Sequence, residues 1–378
     1  MRRFNSVFAD LPLTIFEEMS GLARANGAVN LGQGFPDDDE PRAILDAASR
    51  ALYDYPNQYP PMRGLLELRQ AVANHDERFY GLSINPATEV LVTSGATEAL
   101  AAAFLALLEP GDEVVVFDPA YDSYVPMIRR AGGIPKAVPM RPPSWAWDEA
   151  ELRKAFSRKT KAVVLNTPMN PTGRVLSRAE MTVIADLALA HDAYVISDEV
   201  YEHIVFAPNA HETMLSVPGM RDRAVKIGSA GKTFSMTGFK VGYVTAAPAL
   251  VKVIAAVHQF LTFTTPPNLQ RAVAVGLAQS DADYAKLASD LRTKRDRLTG
   301  GLTKLGWTVE RSQGTYFVLA RITEPDDRAF CLAMVKEKRV AAIPISAFGA
   351  QFPVQGYIRF CFAKRDSVLD EALKRLGG

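Results

Sequence analysis

Ala224-Val-Lys-Ile-Gly228-Ser-Ala-Gly-Lys232-Thr-Phe-Ser-Met-Thr-Gly-Phe-Lys240-Val-Gly-Tyr243 passes from an apolar–polar alternation into a loop of small residues, then into a second strand-like run, Val241-Gly-Tyr-Val-Thr245. Small neighbours let something bulky approach the backbone, and a lysine held among them can leave its solvated surface state. A partly desolvated amine is a candidate for imine formation with a carbonyl. Spacing alone also allows Lys232 to be an ordinary surface charge, so the rest of the chain has to decide.

Outward from this stretch the strand-like pattern recurs. Short apolar runs stand at Glu89-Val-Leu-Val-Thr93, Glu113-Val-Val-Val-Phe117, Ala162-Val-Val-Leu165 and Tyr194-Val-Ile-Ser197. Helical spacing separates several of them, at Thr97 to Leu108 and Arg178 to His191. The second of these helices opens with Ser177-Arg-Ala-Glu180, a capping box. Strands alternating with helices predict an α/β domain on a largely parallel sheet. Ligands of such sheets bind at the carboxyl ends of the strands.

Those ends carry Ser94-Gly95-Ala96-Thr97, small residues opening a helix whose N–H groups suit a phosphate. They also carry Asp118-Pro-Ala-Tyr121-Asp-Ser-Tyr124 with its aromatic faces, and Asn166-Thr-Pro-Met-Asn170-Pro-Thr-Gly173 with its side-chain amides. Asp198-Glu-Val-Tyr201 adds a carboxylate and a phenol, and the next strand end delivers Lys232. Each segment alone reads as a turn or cap. Together, at successive strand ends, they point to one site.

The flanks are plainer. Residues 1–40 read as irregular, and Gly32-Gln-Gly34 lacks the third glycine of a dinucleotide loop. Between helical spacing at Arg42–Tyr53 and Leu65–Tyr80 lies Tyr55-Pro-Asn-Gln-Tyr59-Pro-Pro-Met-Arg-Gly64, a loop suited to a ligand, a second subunit or the bare surface. A long charged helix at Ala282–Leu305 precedes strand-like Tyr316–Leu319, a helix at Phe330–Lys338, strand-like Ala342–Ile345 and Tyr357–Phe362, and a last helix at Ser367–Leu376. The expected division is an arm with part of a small domain over 1–40, a large domain over 41–280 and a small α+β domain over 281–378.

Lys plus Arg total 43 against 42 Asp plus Glu, a balance that argues against a nucleic-acid or anionic-membrane partner. The longest apolar run, Ala99 to Leu108, falls short of the roughly 20 residues of a membrane span. Asn5, Ser6 and Pro12 interrupt any secretory leader, and Cys331 and Cys361 form no CxxC, so a cytoplasmic protein is expected. No metal-ligand cluster is visible; His191, His203 and His258 stand apart and read as structural.

Asn166–Gly173, Ser197-Asp-Glu-Val-Tyr201 and Ser229-Ala-Gly-Lys-Thr-Phe-Ser-Met-Thr-Gly-Phe-Lys-Val-Gly242 resemble the signatures of class I/II aminotransferases, fold-type I enzymes that use pyridoxal 5′-phosphate (PLP). The likeness runs from Gly32-Gln-Gly34-Phe-Pro36 to Tyr357-Ile-Arg359, and its wording is most similar to the kynurenine/glutamine/methionine branch. The resemblance implies that Lys232 binds the PLP carbonyl and moves a proton, with Asp198 on the pyridine nitrogen. It implies Tyr201 and Asn170 on the ring O3′ and Tyr121 stacked on the ring. Gly95, Ala96, Thr97, Ser229 and Lys240 would hold the phosphate. Lys240 stands where many relatives carry arginine, keeping the charge without the bidentate fork.

Tyr59 would reach the phosphate of a neighbouring subunit, implying a homodimer with shared active sites. Arg359 would clamp the substrate α-carboxylate with Asn170 and the backbone of Gly34. The implied reaction is ping-pong transfer of an amino group from an L-amino acid to a 2-oxo acid. His258–Pro267 offers aromatic rather than cationic groups, and Leu13, Ile15, Phe16 and Phe35 could complete an apolar pocket, so a neutral or aromatic donor is expected (methionine, glutamine, phenylalanine or kynurenine). Alternatives are an aspartate-type enzyme, an N-succinyldiaminopimelate aminotransferase using Arg24 or Arg63 for a distal carboxylate, and a cysteine-S-conjugate β-lyase. A PLP-binding transcription regulator would need a DNA-binding domain ahead of motifs that begin near residue 32.

Overall fold

The six apolar runs become strands of one eight-stranded sheet in the computed structural model, which describes residues 2, 4–9 and 11–378. Met1, Arg3 and Asp10, within the arm expected over 1–40, lie outside the described residues. Across the sheet the order is Val90–Thr93, Gly242–Ala246, Ala224–Ser229, Tyr194–Asp198, Thr160–Asn166, Glu113–Asp118, Ile134–Arg141 and Ala146–Trp147. The pairings from Ala224–Ser229 through to Ile134–Arg141 are parallel. Gly242–Ala246 runs antiparallel to both its neighbours, and Ala146–Trp147 antiparallel to its one partner. The sheet is therefore mixed at its margins. The chain through Lys232 and Lys240 returns directly to the adjacent position, and an antiparallel neighbour needs no crossover helix.

Val90–Thr93 and Ala224–Ser229 are buried at every position, as strands covered on both faces must be. Register sets Asn166 opposite Asp198 and Asp198 opposite Ile227, so the chemistry-bearing strand ends align along one edge.

The first 40 residues are not wholly irregular. Ile15–Ala25 is a helix capped by Thr14, whose side chain accepts from the Glu17 N–H at 3.3 Å. Its buried residues are Ile15, Met19, Ser20 and Ala23, and the serine and alanine among them weaken the apolar stripe beside the flanking prolines and glycines. Val29–Asn30 then pairs in parallel with Val340–Ala341 and ties this arm to the C-terminal part of the chain.

A second, four-stranded antiparallel sheet runs Thr308–Glu310, Phe317–Arg321, Tyr357–Cys361, Ile343–Pro344. Helices Asp281–Lys304, Asp327–Glu337 and Asp366–Gly377 belong to the same stretch. The two sheets share apolar packing: Leu165, Tyr201 and Phe206 lie in one cluster with Phe317, Phe360 and Phe362. Asp118, at the end of its strand, accepts the backbone N–H groups of Ala350, Gln351 and Phe352 at 2.7 to 3.0 Å. The Ala120 N–H reaches Phe348 O at 3.0 Å, so the loop beside Phe348 is clasped to the large sheet. Among the described residues, no helix is long and apolar enough to cross a membrane.

Candidate active site

A cavity of about 300 Å³ opens at the carboxyl edge of the large sheet. Lys232 enters it from the helical turn Ala230–Thr233, directly after the strand Ala224–Ser229. Its Nζ donates to the Tyr316 hydroxyl at 2.9 Å and reaches Gly34 O at 3.5 Å. Among the described residues no carboxylate forms an ion pair with it. Burial pulls the amine down to about 8, with the cations of Arg359 and Lys240 adding to the effect. A lysine in that state is unprotonated often enough near neutral pH to act as a nucleophile or a base.

Asp198 ends the adjacent strand and is 4% exposed. Tyr124 donates its hydroxyl to Oδ2 at 2.6 Å and Val200 its N–H to Oδ1 at 3.4 Å. Burial pushes this carboxyl up to about 6 against the pull of those two donors. A buried carboxylate with no paired cation beside it is built to receive a positive group from a ligand.

The cavity also offers a place suited to an anion. Helix Gly95–Leu107 starts there, two residues earlier than its spacing suggests, and its first N–H groups have no intrahelical acceptor. Gly95 sits at φ +77°, and a Cβ on it would stand 3.2 Å from Lys240 Nζ. A Cβ on Gly242 would lie 2.6 Å from the Gly95 carbonyl carbon. These glycines let the backbone and the lysine head converge. Ser229 and Thr97 line the same cavity.

Arg359 is 1% exposed, and its partners define a second binding corner. Nη1 donates to Asn170 Oδ1 at 2.6 Å, Nη2 donates to Gly32 O at 2.8 Å, and Nε has no partner among the described residues. The guanidinium lies over the Phe317 ring at 3.8 Å, with Phe348 and Phe16 at 5.1 and 5.2 Å. Burial lowers it to about 10, which leaves it charged at neutral pH. Asn170 is fixed from behind, its N–H bonded to Asn166 Oδ1 at 2.7 Å. Gly34 must be glycine, since a Cβ there would be 2.6 Å from Phe317 Cζ.

Tyr121 and Tyr201 face the same cavity. Burial raises Tyr121 to about 12 and Tyr201 further, so both phenols keep their protons. Thus Gly34, Gly95, Ala96, Thr97, Tyr121, Asn170, Asp198, Tyr201, Ser229, Lys232, Lys240 and Arg359 all line one cavity. Tyr59 stands outside it, 83% exposed and edge-on to Phe263 at 5.4 Å. Arg24 pairs with Glu17 at 2.8 Å and Arg63 reaches only Ala87 O; neither lines the cavity.

The sequence did not single out Tyr124 or Tyr316 for a hydrogen bond to the site, nor Phe317 and Phe348 as a shelf for Arg359. The one available hint was Tyr124, three residues after Tyr121. Nor did it bring His75 and His203 together, which meet at 2.6 Å between Nε2 atoms. His75, Glu202 and His203, and likewise Glu199, Glu202 and His211, hold their ligating atoms within 4.8 Å of one another. His258 bridges Glu98 at 3.0 Å and Met62 O at 3.1 Å.

The family model for aminotransferase class I and II matches residues 26–376. The chain belongs to this family. It is 45% identical to a probable N-succinyldiaminopimelate aminotransferase, DapC, of Mycobacterium tuberculosis, over 96% of this chain and 95% of that one. It is 42% identical to methionine aminotransferase of Escherichia coli, over 98% and 97%. The solved structure of the N-succinyldiaminopimelate aminotransferase from Mycobacterium tuberculosis superposes with a TM-score of 0.96 at 44% identity, covering 99% of each chain. The protein is an aminotransferase of fold type I whose cofactor is PLP. The donors fit that cofactor: an amine for its carbonyl, an unpaired buried carboxylate for its ring nitrogen, and a helix start with Lys240 for its phosphate.

Proposed function

We propose that this aminotransferase takes its amino group from a neutral or aromatic L-amino acid and passes it to a 2-oxo acid by a ping-pong route. PLP, when bound, supplies a carbonyl for the amine and a ring that absorbs the electrons left on the substrate carbon. Lys232 would attach the cofactor and then move a proton between Cα and C4′. Asp198 would keep the ring nitrogen protonated, Tyr201 and Asn170 would bond O3′, and Tyr121 would cover the ring face. Gly95, Ala96, Thr97, Ser229 and Lys240 would hold the phosphate. Arg359, with Asn170 and the Gly34 backbone, would hold the α-carboxylate.

One observation carries the substrate class. The cavity wall is built from Phe16, Phe35, Leu100, Val200 and Phe317, and among the described residues Arg359 is the one arginine that lines it. With that guanidinium assigned to the α-carboxylate, no arginine of this wall is left for a side-chain carboxylate. The test is a panel of amino donors followed by the keto acid formed. Methionine, phenylalanine, glutamine or kynurenine should outpace aspartate; aspartate turning over far faster would sink the reading.

A second reading is favoured by the 45% identity to the mycobacterial protein. N-succinyldiaminopimelate carries a distal carboxylate, and a cation for it would have to come from beyond this wall. Turnover of that compound well above methionine in the same panel would select it. We further infer a homodimer in which Tyr59 completes the neighbour's phosphate site; its support is that Tyr59 and Phe260 are 83% and 85% exposed. The division into 1–40, 41–280 and 281–378 belongs to this reading, as does a cytosolic location, which the free, buried Cys331 and Cys361 favour.

A further inference from the structure

Tyr316 precedes the strand Phe317–Arg321 of the small sheet, yet its hydroxyl ends at the lysine of the large one. It accepts from Lys232 Nζ at 2.9 Å and donates to Gly34 O at 2.9 Å. A carbonyl oxygen can only accept, so the single phenolic proton goes to Gly34 and a lone pair is left for the amine. The ring is held in place, 0% exposed and wedged between Tyr201, edge-on at 5.2 Å, and Phe317 at 4.8 Å. Burial also raises the phenol well above its ordinary value, so the proton stays on oxygen.

The strap that Tyr316 grips is the one Arg359 grips. Gly34 O takes the phenol, and Gly32 O takes Arg359 Nη2 at 2.8 Å. Lys232 therefore sits at one end of a continuous path through Tyr316 to the Gly32–Phe35 strap. We propose that Tyr316 is a positioning residue that seats the free Lys232 amine and ties that amine to the Gly32–Phe35 strap; the proposal rests on Lys232 being the attachment residue. A lysine released in every half-reaction would otherwise search the rotamers of a four-carbon stem. A fixed acceptor returns it to one place.

The test uses Tyr316→Phe, which keeps the ring and deletes one oxygen, with a thermal melt to show that the variant folds. In the cofactor-free protein, the rate at which an amine-directed acylating reagent labels Lys232 is followed against pH by peptide mass spectrometry. Loss of the acceptor removes a stabilising bond from the ammonium, so the labelling midpoint should fall by about one pH unit, a tenfold change in the proton equilibrium. A midpoint equal to that of the wild type in a folded variant overturns the proposal. Borohydride reduction of the PLP-loaded wild type separates the two failures. Cofactor fixed to a peptide without Lys232 overturns the underlying reading as well, whereas cofactor on Lys232 with an unmoved midpoint overturns the seat alone.

Discussion

Lys226 and Lys232 lie six positions apart, both withdrawn from bulk water, and the protein treats them in opposite ways. Lys226 is 1% exposed and is met by Asp76 at 2.5 Å and Glu202 at 2.8 Å, with the Tyr80 ring at 4.4 Å. Burial alone would discharge it, but those carboxylates, with Glu199 behind them, outweigh the burial and hold the ammonium above its ordinary range. Lys232 receives a hydroxyl and a carbonyl in place of carboxylates, and burial wins, bringing it to about 8. Dehydration is common to both; the counter-ion decides whether a lysine is mortar or reagent. The carboxylates divide in the same way. Asp198 lines the cavity. Glu199 instead takes Ser197, His211 and Met214, and Glu202 takes Tyr80 and Lys226.

Exchanging the fates of the two lysines is the strongest way to break this contrast. Lys232→Ala should cut amino transfer by at least about 10⁴-fold, roughly 5 kcal/mol of barrier, while the urea midpoint stays close to that of the wild type. Wild-type turnover would remove Lys232 from the reaction. Lys226→Met should do the reverse in kind, leaving Asp76 and Glu202 buried without a cation and costing about 3–5 kcal/mol of folding stability. Urea unfolding measures it, and an unchanged midpoint would mean that the cluster relaxes or takes up protons at little cost.

The pH dependence of stability in the cofactor-free protein sharpens the contrast further. Asp198 has a folded value near 6 against 3.8 for the free group, so the stability it gives is complete below 3.8 and is lost as pH rises through 6. Lys232 has a folded value near 8 against 10.5, so its share is complete above 10.5 and is lost as pH falls through 8. The Asp198 window is worth about 3 kcal/mol and the Lys232 window about 3.5 kcal/mol at most, at 1.4 kcal/mol per unit. Urea midpoints across pH 4–10 should dip between the windows, and Asp198→Asn should flatten the acid limb. Smallest of all, Tyr124→Phe removes one hydrogen bond to a carboxylate, about 1.5 kcal/mol, and should weaken PLP binding about tenfold with little change in melting temperature. Unaltered PLP affinity would show that Tyr124 does not support Asp198.

What could be read from the chain follows the range of the interactions. The strand ends at Ser94, Asn166, Asp198 and Lys232 were legible because period-two alternation and turn residues are local signals. Strand direction was not, and nothing in Val241–Thr245 announced that Gly242–Ala246 would run antiparallel beside the parallel strands. The character of Lys226 was hidden, since in sequence it is only the polar member of an alternation, and its partner Asp76 is 150 positions away. Tyr124 and Tyr316 act across 74 and 84 positions, which no window of spacing covers. The hidden cluster and the support of the site are both tertiary facts, whereas the reactive groups announced themselves by their loops.

The bond from Arg359 to the Gly32 carbonyl spans 327 positions, and that from Tyr316 to Gly34 spans 282. On the ribosome, the strap and the lysine leave the tunnel long before the arginine and the phenol that hold them. Contacts of such separation slow folding because the chain must close its longest loops before they reward it. The corner that joins the Gly32–Phe35 strap to Tyr316 and Arg359 is therefore among the last parts of the site to close.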